Sequence, residues 1–151
     1  MTVTAAQAAK LVGDASSWTL TNLSIQKLLY IAHMVFLGEN DGQPLINESF
    51  EAWDYGPVVP QLYHRIKIFG NEPVKDVFYS ATEIDNSSIE SKTIKRAVSS
   101  LAKTSAGELV SITHRSDGAW AKHYVQGIHG IRIPNSDILE EYRKRFPDKH
   151  L

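Results

Sequence analysis

The stretch Leu23–Gly70, LSIQKLLYIAHMVFLGENDGQPLINESFEAWDYGPVVPQLYHRIKIFG, decides the fold, and it divides into three parts. From Leu23 to Leu37 the apolar residues Ile25, Leu28, Leu29, Ala32, Val35 and Phe36 recur at intervals of three and four, the period of a helix with one buried face. A core helix is expected there. Phe50 to Tyr55 sets Phe50, Ala52 and Asp54 against Glu51, Trp53 and Tyr55, and reads as a short strand or strand-like loop. Gly56-Pro57 then reads as the opening of a second amphipathic helix, because glycine permits unusual backbone angles and proline in a first helical turn forfeits no hydrogen bond. Val59, Leu62, Ile66 and Phe69 share one face of that helix, and Gly70 is its stop.

Working outward, Val3–Asp14 is Ala-rich and predicts a first helix capped by Thr2 or Thr4, and Thr21 or Asn22 caps the core helix. Gly38–Asn47 concentrates turn formers and predicts a surface loop. Pro73 and an aperiodic apolar pattern leave the region after Gly70 without a predicted element. Two S-x-x-E spacings, Ser87–Glu90 and Ser105–Glu108, predict capping boxes for a helix running to Lys103 and for a short helix carrying Leu109 and Ile112. The polar break His114–Gly118 offers Ser116 or Asp117 as cap for a short helix holding Trp120 and Tyr124. Ile131–Pro134 reads as extended or loop, and Pro134-Asn135-Ser136 opens a last helix with Ile138, Leu139 and Tyr142 inward, ended by Pro147. The fold class expected is mainly α: a single compact domain, 1–151, of six or seven helices with at most a short β-hairpin.

Composition narrows the function classes. With 42% hydrophobic and 22% charged residues, the 151-residue chain matches globular proteins and departs from disordered and membrane classes. Lys and Arg number 16 against 17 Asp and Glu, so no global field draws it to nucleic acid, and direct nucleic-acid binding is not expected. The absence of Cys removes disulfides, thiolate nucleophiles and Cys-ligated zinc. No apolar run nears the roughly 20 residues that span a bilayer, and the N-terminus lacks the pattern of a signal peptide. A cytoplasmic, membrane-free setting is the expectation.

Three segments carry a family resemblance: QKLLYIAH at Gln26–His33, FEAWDYGPVVPQLY at Phe50–Tyr63, and LVSITHRSDGAW at Leu109–Trp120. In order and spacing they resemble the Panacea domain, the family of SocA-like bacterial antitoxins and GepA-like prophage proteins. The likeness spans roughly Leu20 to Phe146, and W-x-Y-G-P-V-V-P is its most specific piece. It implies an antitoxin that binds a cognate protein toxin directly, with presentation of the toxin to a cytoplasmic protease as one mode of action. Unlike the larger members of that family, the sequence shows no added DNA-binding domain, so transcriptional autoregulation by this chain is not expected.

The residues agree through what they lack. His33, His64, His114, His123, His129 and His150 show no ligand spacing for a metal, no phosphate-binding glycine loop occurs, and no nucleophile elbow is found. Neither catalysis nor a cofactor is expected. The candidate partner-binding residues are Trp53, Tyr55, Pro57, Tyr63 and Lys67, aromatics and rigid backbone around a turn, together with His114 and Trp120, which recur as a T-H pair and downstream Trp in the resembling family. Core plugging competes with contact for Trp53 and Tyr55. For His114 the favoured role is a satisfied hydrogen bond at a helix junction. Arg65, Lys67 and Lys75 form a modest basic spot. The alternatives are a prophage-encoded protein that modulates a host factor and, behind it, a small hydrolase with His114, Asp117 and Trp120 lining a cleft.

Overall fold

The computed structural model describes residues 2–147. Helix α1, Ala5–Ala15, starts at Thr4, whose hydroxyl accepts from Gln7 N while the Gln7 side chain accepts from Thr4 N, a reciprocal capping box. Thr21 caps α2, Asn22–Glu39, by accepting from Ser24 N. The apolar stripe of α2 is buried as expected at Ile25, Leu28, Leu29, Ala32 and Phe36. Ser24, Gln26, Lys27 and His33 are buried as well, so α2 is enclosed on nearly every side and lacks the single buried face its period predicts. The helix also runs past Gly38, where a loop is expected. A Cβ there would meet the Tyr142 ring at 2.1 Å, so the glycine is a packing choice inside a helix; the turn comes at Asp41 and Gly42, with φ of 53° and 81°.

Strands β1, Glu51–Trp53, and β2, Gly56–Val58, pair antiparallel with Ala52 opposite Pro57. Gly56-Pro57 is therefore a strand, and the helix signal of that segment belongs to the next proline. Pro60 occupies the first turn of α3, Pro60–Ile66, which tightens into a 3-10 turn at Lys67–Phe69 and stops at Gly70 with φ 54°. On its other edge β1 is joined by the segment around Arg132: Ala52 N donates to Ile131 O and Ile133 N to Phe50 O.

Residues 71–88 contain no helix or strand, yet Val74 and Phe78 are fully buried and Val74 N donates to Leu20 O, which holds this segment against the start of α2. Helix α4, Ile89–Leu101, is capped by Ser88, not by the Ser87 of the S-x-x-E spacing; Ser88 accepts from Ser91 N. Ser105 caps α5, Ala106–Thr113, as its spacing predicts. The short α6, Ala119–His123, has neither Ser116 nor Asp117 as cap. Its cap position is Gly118, and Ala119 N donates instead to the Glu141 carboxylate on α7, Asn135–Arg145. The described residues thus form a mainly α fold of seven α-helices and one hairpin, with α2 at the centre against α1, α4, α5 and α7.

Candidate partner-binding face

The hairpin turn Asp54-Tyr55 lies at the edge of an open groove of about 520 Å³, walled by the N-terminal half of α2, the hairpin, α3 and His129. Four of the residues singled out from sequence line it: Trp53, Tyr55, Tyr63 and Lys67. The Trp53 ring meets Tyr63 edge-on at 4.9 Å and His129 edge-on at 5.3 Å, so three rings form one aromatic wall. Tyr55 is 69% exposed, and Val125 and Ile128, on the segment that carries His129, are also exposed. The core reading fails for Tyr55 and holds only partly for Trp53, which is half-buried.

Behind the turn stands a stack of three rings. His114 lies on Trp120 at 3.7 Å and 12°, and Trp120 lies on Tyr124 at 4.6 Å and 18°. Each of two members reaches the turn: Trp120 Nε1 donates to Trp53 O at 2.7 Å, and the Tyr124 hydroxyl donates to Asp54 Oδ1 at 2.5 Å. The stack holds the turn in one conformation. His114 bonds to the Tyr55 backbone and so ties the end of α5 to the hairpin turn, while its Nε2 is buried without a hydrogen-bond partner among the described residues. Burial lowers its pKa, the Tyr55 backbone opposes that shift, and the charge of Lys27 adds to it. It adds stacking area on Trp120 to its bond with the turn.

Beneath the turn, Lys27 is fully buried and donates to Pro57 O at 2.9 Å; desolvation lowers its pKa to about 7. Gly56, with φ 111°, is required by this arrangement, because a Cβ would sit 2.8 Å from Lys27 Cε and 3.0 Å from Thr113 Oγ1. Gln26 completes the attachment by accepting from Val59 N at 3.0 Å. Pro57 and Trp120 are thus buried supports of the face and not part of its surface.

The histidines serve separate purposes. Ile46 N donates to His33 Nδ1, which leaves Nε2–H to donate to Asn135; burial holds this imidazole near pKa 4. His123 pairs with Asp137, His64 lies beside Lys67, and His150 falls outside the described residues. Among the described residues no three His, Asp or Glu side chains gather as metal ligands, and no helix is long and apolar enough to cross a membrane. Asp117 binds Arg115 at 2.6 Å and lines a different hollow, with Lys122 and Glu140, so His114, Asp117 and Trp120 do not share a cleft.

The model of the SocA-like antitoxin, Panacea domain, matches residues 25–121, a span that holds most of α2, the hairpin, α3 and the Trp120 of the stack. This chain belongs to the SocA-like Panacea family. It is similar to Antitoxin SocA of Caulobacter vibrioides (strain NA1000 / CB15N), with 36% identity over 110 residues; the match covers 67% of this chain and 58% of that protein. No solved structure matches the chain. In this Panacea domain, sequence reasoning overlooked Lys27, Gln26, Tyr124 and His129. Lys27 carried a readable signal: it falls between Ile25 and Leu28 on a helix with scarcely any polar face.

Proposed function

We propose that this chain is an antitoxin-type binding protein that neutralises a cognate toxin by forming a direct complex with it, and that it transforms no substrate itself. The observation that carries the reading is membership of the SocA-like family together with the face just described. An exposed aromatic on a turn fixed by stacked rings gives large contact area at little ordering cost, the usual makeup of an interface hot spot. A complex of roughly 1,200–2,000 Å² in total, centred on Tyr55 and the groove, would mask the toxin's working surface. Delivery of the bound toxin to a cytoplasmic protease would use contacts outside the groove, where Tyr79 and Ile89 expose apolar surface.

The test is co-expression with the product of the adjacent gene, scored by growth and by co-purification. Rescue and a stable complex are expected. Loss of both, or turnover of a substrate by the purified chain alone, defeats the proposal.

A further inference from the structure

The groove has two chemically distinct ends. At one stands the aromatic wall of Trp53, Tyr63 and His129. The other is set by the bond from Val74 N to Leu20 O, which brings the Gly70–Asn71 segment and the exposed Lys67 next to Asn22 at the start of α2. Tyr63 and Lys67 are four residues apart, on the same side of α3 and its continuation, and so connect the two ends.

Charge separates the ends further. Lys67 has no carboxylate within ion-pair distance among the described residues; its ammonium lies 3.5 Å from His64 Nδ1. Lys27, under the floor, has a carbonyl for partner and burial pulls its pKa to about 7, so the exposed Lys67 is the cation on which the groove's charge rests. Asp54 is the groove's one acid, it sits at the turn beside the aromatic wall, and its Oδ1 already receives the Tyr124 hydroxyl. The groove is left with unneutralised positive charge at the end away from the rings.

We infer that the groove receives a segment of the partner in which an apolar or aromatic side chain lies next to a carboxylate, the side chain against Trp53 and Tyr63 and the carboxylate at Lys67. This rests on the antitoxin reading and specifies the chemistry of its contact. The exposed Lys67 makes the direct ion pair. The acids near the groove, Asp54 in its lining and Glu51, which accepts from Trp53 Nε1 at 3.0 Å, stand at the aromatic end and oppose an anion only there.

The probe pair is 3-phenylpropionate and its neutral analogue 3-phenylpropionamide, titrated into the full chain and followed through the backbone amides and the Trp53 indole. The acid should shift Trp53, Tyr63, Lys67 and Asn71 and bind about three- to fivefold more tightly than the amide, the range of an exposed ion pair. Lys67→Met should erase that preference and Lys67→Arg should keep it. Equal binding of acid and amide, shifts confined to other surfaces, or no binding at millimolar concentration would overturn the inference. If the toxin complex nevertheless forms, only the chemistry of the contact is wrong; if no complex forms in co-expression, the antitoxin reading itself is lost.

Discussion

Lys27 is closed off from water on all sides and has a carbonyl for its partner, so protonating it inside the fold is costly. Its pKa falls from 10.5 to about 7 on folding. Between those values the unfolded chain holds a proton that the folded chain has released, so stability rises with pH across the window and is lost as pH falls back toward 7. Raising the pH from 7 to 9.5 should strengthen the wild type by up to on the order of 3 kcal/mol from this group, at about 1.4 kcal/mol per unit. Lys27→Met keeps the aliphatic stem and removes the titration, so urea unfolding of the variant should show none of that rise. A parallel slope in both proteins would mean that Lys27 stays protonated in the fold. At this scale the sequence was half legible. Tyr55 and Tyr63 could be picked out because aromatics beside rigid backbone make good contact anchors, and Lys27 is marked by its place among apolar neighbours, whereas Gln26 looks like an ordinary polar position until the hairpin backbone that it holds is in place.

Helices could be located from sequence more easily than their ends could. Apolar spacing reports which residues face a neighbour, a property averaged over several turns, while a cap depends on where a single backbone angle changes. Ser87 and Ser88 make the point. Both precede the apolar run, and the S-x-x-E spacing favours Ser87, but Ser88 has the extended backbone, φ −71° and ψ 153°, and its hydroxyl accepts from Ser91 N. Ser87 instead bonds back to Asp85. Ser88→Ala should therefore cost about 1 kcal/mol and Ser87→Ala much less, read from thermal unfolding. The reverse order would return the cap to Ser87. Gly56-Pro57 was misjudged for a related reason: glycine then proline fits a helix start and an edge strand equally, and while Pro60 close by offers the alternative helix start, the bond from Lys27 that holds the strand comes from outside any local window.

Across the whole molecule, the aromatic face depends on helices distant in sequence being held in one relation, and Glu141 on α7 supplies much of that. It is 2% exposed. Its Oε1 accepts from the Tyr30 hydroxyl on α2 at 2.8 Å and from Ala119 N at the start of α6 at 2.9 Å, and Oε2 accepts from Arg145 Nε at 2.8 Å. Arg145 in turn donates to Ile112 O on α5 at 2.5 Å. One carboxylate thus links α2, α6 and α7 directly and α5 through its arginine, and α6 carries the Trp120 that fixes the hairpin turn. No periodicity announces such a residue, since Glu140-Glu141 reads as paired surface charge. Removing it leaves Arg145 as a part-buried cation without its acid and orphans a buried tyrosine hydroxyl and an amide. Glu141→Ala should destabilise the fold by about 3–5 kcal/mol, the cost of breaking a buried pair by removing one partner. Glu141→Gln keeps the shape and an accepting oxygen, so it should lose less. Its Trp120 fluorescence should stay close to the wild type's, while that of Glu141→Ala shifts toward the solvent-exposed value before global unfolding. If both variants melt with the wild type, the four helices are held by apolar packing alone, and the network only follows their arrangement.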